Sequence, residues 1–128
     1  MSALIVSALL QARRNSWTET GVSAAAAPKT ISKAANPDYC HYVTGFEVAL
    51  AGAAAGADII IKLQADASGA PVTLWQTLIG ASAVVGTRVN VVFPMAMRLP
   101  KGKSADLVVS AGGSGCMTNL NLAGFTAN

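Results

Sequence analysis

The feature that most constrains this chain is a repeated two-residue alternation of apolar and polar side chains. In residues 39–50, Phe46, Val48 and Leu50 share one parity, while Gly45 and Glu47 take the other. A period of two places successive side chains on opposite faces of an extended strand. Similar alternation returns in residues 57–65 and 89–93, and further short strands are predicted over residues 29–35, 72–79, 105–111 and 117–125. The pattern therefore predicts half-buried β-strands.

Turn residues separate these segments at spacings near a dozen residues, as at Asn36-Pro37-Asp38. Short alternating strands with turn chemistry between them are typical of an antiparallel sandwich or barrel. Eight strands in two packed sheets is the jelly-roll number. We predict an all-β, antiparallel, jelly-roll-like β-sandwich of seven or eight strands with an N-terminal arm. Pro94 is expected to end the strand over residues 89–93.

The first part of the chain differs from the rest, since it has neither a sustained period nor a capped helix. We predict an N-terminal arm over residues 1–27 and a β-sandwich domain over residues 28–128, with the arm ordered mainly by a neighbouring chain. Trp17 is expected either to anchor in a neighbour's pocket or to pack on its own domain. The residues predicted to form this assembly interface are Leu4, Ile5, Leu9, Leu10, Arg13, Arg14 and Trp17.

The composition favours assembly, because 52% of the 128 residues are hydrophobic and only 12% are charged. An ordinary soluble domain carries about twice that charged fraction, so further apolar surface is expected to be covered by copies of the chain or by a partner. No stretch of about 20 apolar residues lacks strand breakers, and no membrane span is predicted. Lys and Arg form no stripe with aromatics, and nucleic-acid binding is not expected. Arg13 and Arg14 follow the first apolar run instead of preceding it, which argues against a signal peptide and favours synthesis in a cytoplasm.

Candidate catalytic residues are few. His41 is the only histidine, and a triad would require it to touch a nucleophile and a carboxylate; a sheet-facing or interface histidine is the favoured interpretation. Asp38, Asp58 and Asp66 lie beside turns or strand starts, where Asp commonly bonds backbone. Cys40 and Cys116 are interpreted as buried small apolar residues, with a disulfide left open and a metal site not expected. We therefore predict no enzyme activity, no catalytic, cofactor-binding or metal-binding residues, and no small-molecule substrate.

Four stretches carry a resemblance to a known kind of protein: Thr30-Ile-Ser-Lys-Ala-Ala35, His41-Tyr-Val-Thr-Gly-Phe46, Leu74-Trp75 after a Ser-Gly turn, and Asn121-Leu-Ala-Gly-Phe125. With them, residues 29–125 resemble small structural proteins of tailed bacteriophages, namely head decoration (cement) proteins or tail-associated modules. The resemblance implies a jelly-roll sandwich that forms trimers and has no active site.

We accordingly expect a capsid decoration protein that is made in the host cytoplasm and located on the capsid surface of the virion. Its expected partners are itself, as a homotrimer, and the major capsid protein. The alternative is a tail- or fibre-associated module that binds a receptor or carbohydrate.

Overall fold

The alternating segments form the strands of two four-stranded sheets. The computed structural model describes residues 15–127, and this range contains eight strands and no helix. It accordingly has no helical segment with the length and hydrophobicity needed to span a bilayer. The strands are β1 (Ser16–Val22), β2 (Lys29–Lys33), β3 (Cys40–Ala51), β4 (Ile59–Ala65), β5 (Val72–Ile79), β6 (Arg88–Arg98), β7 (Ala105–Val109) and β8 (Met117–Ala127).

The strand order is that of a jelly roll. The first sheet has the order β1-β8-β3-β6 and the second sheet the order β2-β7-β4-β5, with every neighbouring pair antiparallel. Successive strands thus alternate between the sheets over most of the chain, as two interleaved Greek keys require. The predicted all-β, antiparallel, jelly-roll-like sandwich is confirmed.

The core lies between the inner faces of the two sheets. Alternate residues of each central strand point inward, so the period of two in the sequence becomes one buried face per strand. An aromatic cluster extends this core between β5 and β6, where the Phe46 and Trp75 rings meet edge to face at 5.3 Å and Phe93 lies 6.5 Å from Trp75. The central buried residues are Val43, Phe46, Val48, Leu120 and Leu122 from the first sheet and Ile59, Ile61, Leu63, Leu107 and Val109 from the second.

The predicted arm over residues 1–27 is corrected in its second half. Residues 16–22 form β1, which pairs with β8 from Ser16↔Phe125 to Val22↔Asn119 and belongs to the sandwich itself. Trp17 is 9% exposed and packs in this chain's own core, not in a pocket of a neighbour. Of the predicted interface residues, Leu4, Ile5, Leu9, Leu10, Arg13 and Arg14 lie outside the described residues, and their role stays a prediction.

The prediction that Pro94 ends its strand is wrong. Strand β6 continues to Arg98 because Pro94 lies in a local irregularity: Val92 pairs with Gly45 and Met97 with Val43, so residues 93–96 oppose a single residue of β3. β6 is also an edge strand. Proline is tolerated at edges and bulges, where its missing N–H leaves no ladder hydrogen bond unmade.

Candidate functional site

One side of the sandwich carries most of its exposed apolar surface. Strand β5 is an edge of the second sheet and β6 an edge of the first, and the Trp75–Phe93 contact brings these edges together. Nine large apolar residues in the described chain are exposed, and seven lie on this side. We call these seven the apolar border: Ile60 on β4, Val72 and Leu78 on β5, Val84 and Val85 in the β5–β6 loop, and Val92 and Met95 on β6.

Charge is nearly absent along the apolar border. Residues 72–97, which run through β5, the loop and most of β6, contain a single charged side chain, Arg88. Val92 is 74% exposed and Met95 is 86% exposed. Isolated apolar residues at a surface are ordinary, but seven on one side, with a single charge over residues 72–97, point to an interaction site. Ile60 and Leu78 pair on the outer face of the second sheet, whereas Val92 lies beside Asn90 on the outer face of the first sheet, so the border follows the β5–β6 edge and extends onto both faces.

The loop that presents Val84 and Val85 is held in place by hydrogen bonds. The Ala55 amide donates to the Ala83 carbonyl at 2.8 Å, and the Ser82 amide donates to the Ala55 carbonyl at 2.8 Å. The Ala81 amide donates to Asp58 Oδ1 at 2.8 Å. The exposure of the two valines therefore belongs to a structured loop that is tied to the chain before β4.

The opposite side of the sandwich, formed by the edges β1 and β2, is polar. Its exposed side chains include Ser16, Thr18 and Thr20 of β1 and Thr30 and Ser32 of β2. Lysines begin and end β2, and Val22 is the one large apolar residue that is exposed on these two strands. We call this side the polar border. The two sides of one subunit therefore differ in character, which permits contacts between unlike surfaces of two subunits.

A shallow depression of about 280 Å³ lies on the outer face of the first sheet, beside the β3 irregularity. Small residues, Gly45 and Ala123, contribute to its lining. A Cβ on Gly45 would lie 2.6 Å from the Val91 carbonyl oxygen, so the close approach of β6 requires a glycine there. The depression thus results from the close packing of β6 against β3 at Gly45.

Polar side chains surround this depression. Glu47 is the direct cross-strand neighbour of Asn90 on β6 and of Asn121 on β8, and its carboxylate lies 3.5 Å from Arg88 Nη1. Both asparagines are exposed. Two amides and a carboxylate side by side can donate and accept hydrogen bonds to a polyhydroxylated ligand.

A second polar group is buried at one end of the sandwich. Trp17 Nε1 donates to Thr126 Oγ1 at 3.2 Å, and this hydroxyl lies 2.8 Å from His41 Nδ1. His41 Nε2 lies 2.7 Å from the Ala34 carbonyl oxygen. Because a carbonyl only accepts, Nε2 of a neutral His41 carries the proton and Nδ1 accepts from Thr126. Neither partner of the imidazole in the described chain is a carboxylate, and the arrangement ties β1, β3 and β8 together.

The two cysteines are free and buried, which agrees with their interpretation as small apolar residues; the disulfide left open by the sequence is not formed. Cys40 Sγ accepts a hydrogen bond from Arg98 Nη2 at 3.5 Å, which raises the pKa of Arg98 above its ordinary value. Residues 15–127 contain no group of three or more His, Cys, Asp or Glu side chains placed to hold a metal ion.

Two of the three carboxylates beside turns, those of Asp58 and Asp66, bind backbone as expected, whereas at Asp38 it is the backbone amide that donates, to Asn36 Oδ1 at 3.1 Å. Asp58 accepts from the Ala81 amide, and Asp66 Oδ2 accepts from the Ala70 amide at 3.1 Å. The Ala70 hydrogen bond, with a smaller contribution from Lys103, holds the pKa of Asp66 below its ordinary value. These groups stabilise loops.

The low charge is evident in the sequence, but the apolar border is not. The signal available was the near absence of charge over residues 72–97. Its members come from three strands and a loop, and alternation within one strand does not reveal that β5 and β6 lie on the same side.

No protein-family model and no curated protein sequence matches the chain. Several solved structures are similar to the chain, among them these three. A crystal structure of PirA is 13% identical, with a TM-score of 0.46, over 84% of this chain and 90% of that chain. The Yersinia pseudotuberculosis-derived mitogen is 12% identical, with a TM-score of 0.43, over 89% of this chain and 88% of that chain.

The third structure is the arabinose-bound α-L-arabinofuranosidase MgGH51, at 15% identity and a TM-score of 0.44. The match covers 81% of this chain but 18% of the arabinofuranosidase. At these identities and TM-scores, the three likenesses carry no argument about function.

Proposed function

We propose that this chain is a non-catalytic virion structural protein: a capsid decoration protein that forms homotrimers and stabilises the head shell of a tailed bacteriophage. The observation that carries the proposal is the apolar border, where Val92 and Met95 are largely exposed and charge is nearly absent. Such a surface is expected to be covered in the working assembly, since burying it removes apolar area from water. Bridging contacts to the major capsid protein would then resist the pressure of packaged DNA.

The polar groups of the described residues support a structural role. His41 is bonded to Thr126 and to a backbone carbonyl, while Asp58 and Asp66 accept from backbone amides. A catalytic constellation needs such groups to converge on a place where a substrate can bind. Here each of them holds a loop or a strand end.

Self-assembly is tested by measuring native mass with light scattering on a sizing column. The wild-type chain is expected to be a trimer, and the double variant Val92→Lys/Met95→Lys is expected to dissociate because assembly would bury two ammonium groups in an apolar contact. Val22→Lys is the matched control, since Val22 is 56% exposed on the polar border. A monomeric wild-type chain, or equal dissociation of the control, would contradict the proposal.

Head binding is tested with expanded heads of a phage that encodes this chain, prepared without it. Purified protein is expected to co-sediment with these heads to saturation and to raise the temperature at which they release DNA. Absence of binding by a correctly folded trimer would refute the decoration role while leaving self-assembly intact.

A second candidate function is a tail- or fibre-associated module that binds a receptor or carbohydrate, and the polar side chains beside the depression on the first sheet favour it. Asn90, Asn121 and Glu47 offer adjacent donors and acceptors on an open sheet face. A glycan array with the wild-type chain and with Asn121→Ala tests this function. Binding that the substitution abolishes would support it, and an array without any binder would reject it.

A further inference from the structure

The apolar border and the beginning of the described chain lie on opposite sides of the subunit. The Thr126 amide donates to the Asn15 carbonyl at 3.1 Å, and Ser16 pairs with Phe125, so the chain enters the sandwich at the β1 edge. β6 is the other edge of the same sheet. The described chain therefore begins at the polar border, on the opposite side of the sheet from Val92 and Met95.

The segment before Asn15 matches the apolar border in chemistry. Residues 1–10 contain no charged side chain, and they include Leu4, Ile5, Leu9 and Leu10. Its two charges, Arg13 and Arg14, are close to the point where the described chain starts. The one charge over residues 72–97, Arg88, pairs with Glu47 at 3.5 Å. An uncharged apolar strip can therefore exclude water from the apolar residues of the border without burying an unpaired ion.

We propose that residues 4–10 of one copy cover the apolar border of the neighbouring copy, in a head-to-tail contact that closes into a ring. The inference rests on the proposed self-assembly and names the surface that it uses. Because the donor segment leaves one side of the subunit and the acceptor surface lies on the other, the contact joins unlike surfaces. Heterologous contacts of this kind close into cyclic oligomers when the rotation permits.

The segment is long enough for this contact. Residue 10 lies five positions and residue 4 eleven positions before Asn15, which gives a reach of about 18 Å and about 40 Å at most. Three strand spacings, from β1 to β6 across the first sheet, are about 14 Å. Length alone would thus permit the segment to cross its own sheet as well as a neighbour's border.

The polar outer faces argue against docking on the same subunit. To reach its own β6 over the first sheet, the apolar strip would lie across Asn121, Glu47 and Asn90 and remove their hydrogen-bonding groups from water. Over the second sheet it would meet the row containing Lys62 and Gln76. Burying these groups without partners is unfavourable. A segment that lies along the β5–β6 edge of a neighbour, over Val84, Val85 and Met95, would not have to cross either polar face.

The test uses two full-length chains that differ in size by a tag. One carries Leu9→Cys and the other Met95→Cys; they are co-expressed and oxidised gently with oxidised glutathione, and the products are separated on a non-reducing gel. The native Cys40 and Cys116 are buried, each 1% exposed, so the introduced thiols should dominate the reaction. The matched control replaces Met95→Cys with Val22→Cys, which places the acceptor thiol on the polar border. Light scattering of each mixture before oxidation gives the oligomeric state.

The expected result is a trimer in which Leu9→Cys joins Met95→Cys between chains and joins Val22→Cys far less. A trimer without that cross-link, or with equal cross-linking to the control, would overturn the assignment of residues 4–10 while self-assembly stands. A monomer would overturn both proposals. A single chain carrying Leu9→Cys and Met95→Cys that closes an internal disulfide as a monomer would show docking on the same subunit, which also overturns the inference.

Discussion

Replacing Trp17 with alanine measures whether this residue stabilises its own subunit or an assembly. Trp17 is 9% exposed, meets the His41 ring edge to face at 5.8 Å and donates its indole N–H to Thr126 Oγ1. A tryptophan buries roughly 200 Å², equivalent to about 5 kcal/mol at about 25 cal/mol per Å². Alanine keeps part of that burial, and substitutions of this kind in cores cost about 3–5 kcal/mol.

We expect Trp17→Ala to lower the free energy of unfolding by about 3–5 kcal/mol, a Tm decrease of roughly 12–20 °C at about 4 °C per kcal/mol for a chain of this size. The assay is urea unfolding followed by circular dichroism at several protein concentrations, with a calorimetric scan alongside. Because the contacts of Trp17 lie within one subunit, the loss should not depend on protein concentration.

Two comparisons make this result specific. Trp17→Phe keeps an aromatic ring but loses the hydrogen bond to Thr126, and it should cost less than the alanine variant. Val22→Ala, at an exposed position of the same strand, should change stability by less than about 0.5 kcal/mol. A Trp17→Ala variant whose subunit is as stable as wild type but whose oligomer dissociates would contradict packing within one subunit, since Trp17 would then anchor in a neighbour.

Three further substitutions test the packing and the loops. Gly45→Ala should destabilise by about 1–3 kcal/mol, because its Cβ would meet the Val91 carbonyl at 2.6 Å, whereas Gly80→Ala, with nothing within 4 Å, should be neutral or slightly stabilising in the same urea titration. Asp66→Asn should be less stable than wild type at neutral pH, and the difference should shrink as pH falls: the folded-state pKa is lowered, so its contribution is present above the unfolded pKa of about 4 and is lost on acidification through the folded pKa. A constant difference from pH 7 to pH 2 would contradict this assignment. Thr118→Val should raise the Tm, since the buried Oγ1 has no hydrogen-bond partner in the described chain; a lower Tm would show that the hydroxyl is satisfied.

Seven of the eight strands could be predicted from the sequence because they carry a local signal. The alternation in β3 and β4 reflects one face in the core and one in solvent, and the segment predicted over residues 72–79 is β5. The strand that was not predicted, β1, has polar residues at most positions, and only Trp17 is buried in the core. An edge strand with one buried anchor leaves too little pattern to distinguish it from an arm.

Contacts between residues far apart in the sequence determine that β1 belongs to the sandwich and that β6 continues past Pro94. Trp17 meets Thr126 across 109 positions, and this pairing turns the beginning of the described chain into a strand of the sandwich. Pro94 lies within β6 because the opposing strand leaves residues 93–96 without direct partners. Neither outcome follows from the neighbouring residues in sequence.

The sequence by itself determined the class of fold and the shortage of charge, because the period of two and the turn residues follow from local backbone geometry. Only the tertiary structure decided that β5 and β6 share one side and that Val84, Val85, Val92 and Met95 are exposed there together. The physical reason is that side-chain alternation gives each strand an inner and an outer face, whereas the order of strands in a sheet depends on which distant segments bury those faces most completely.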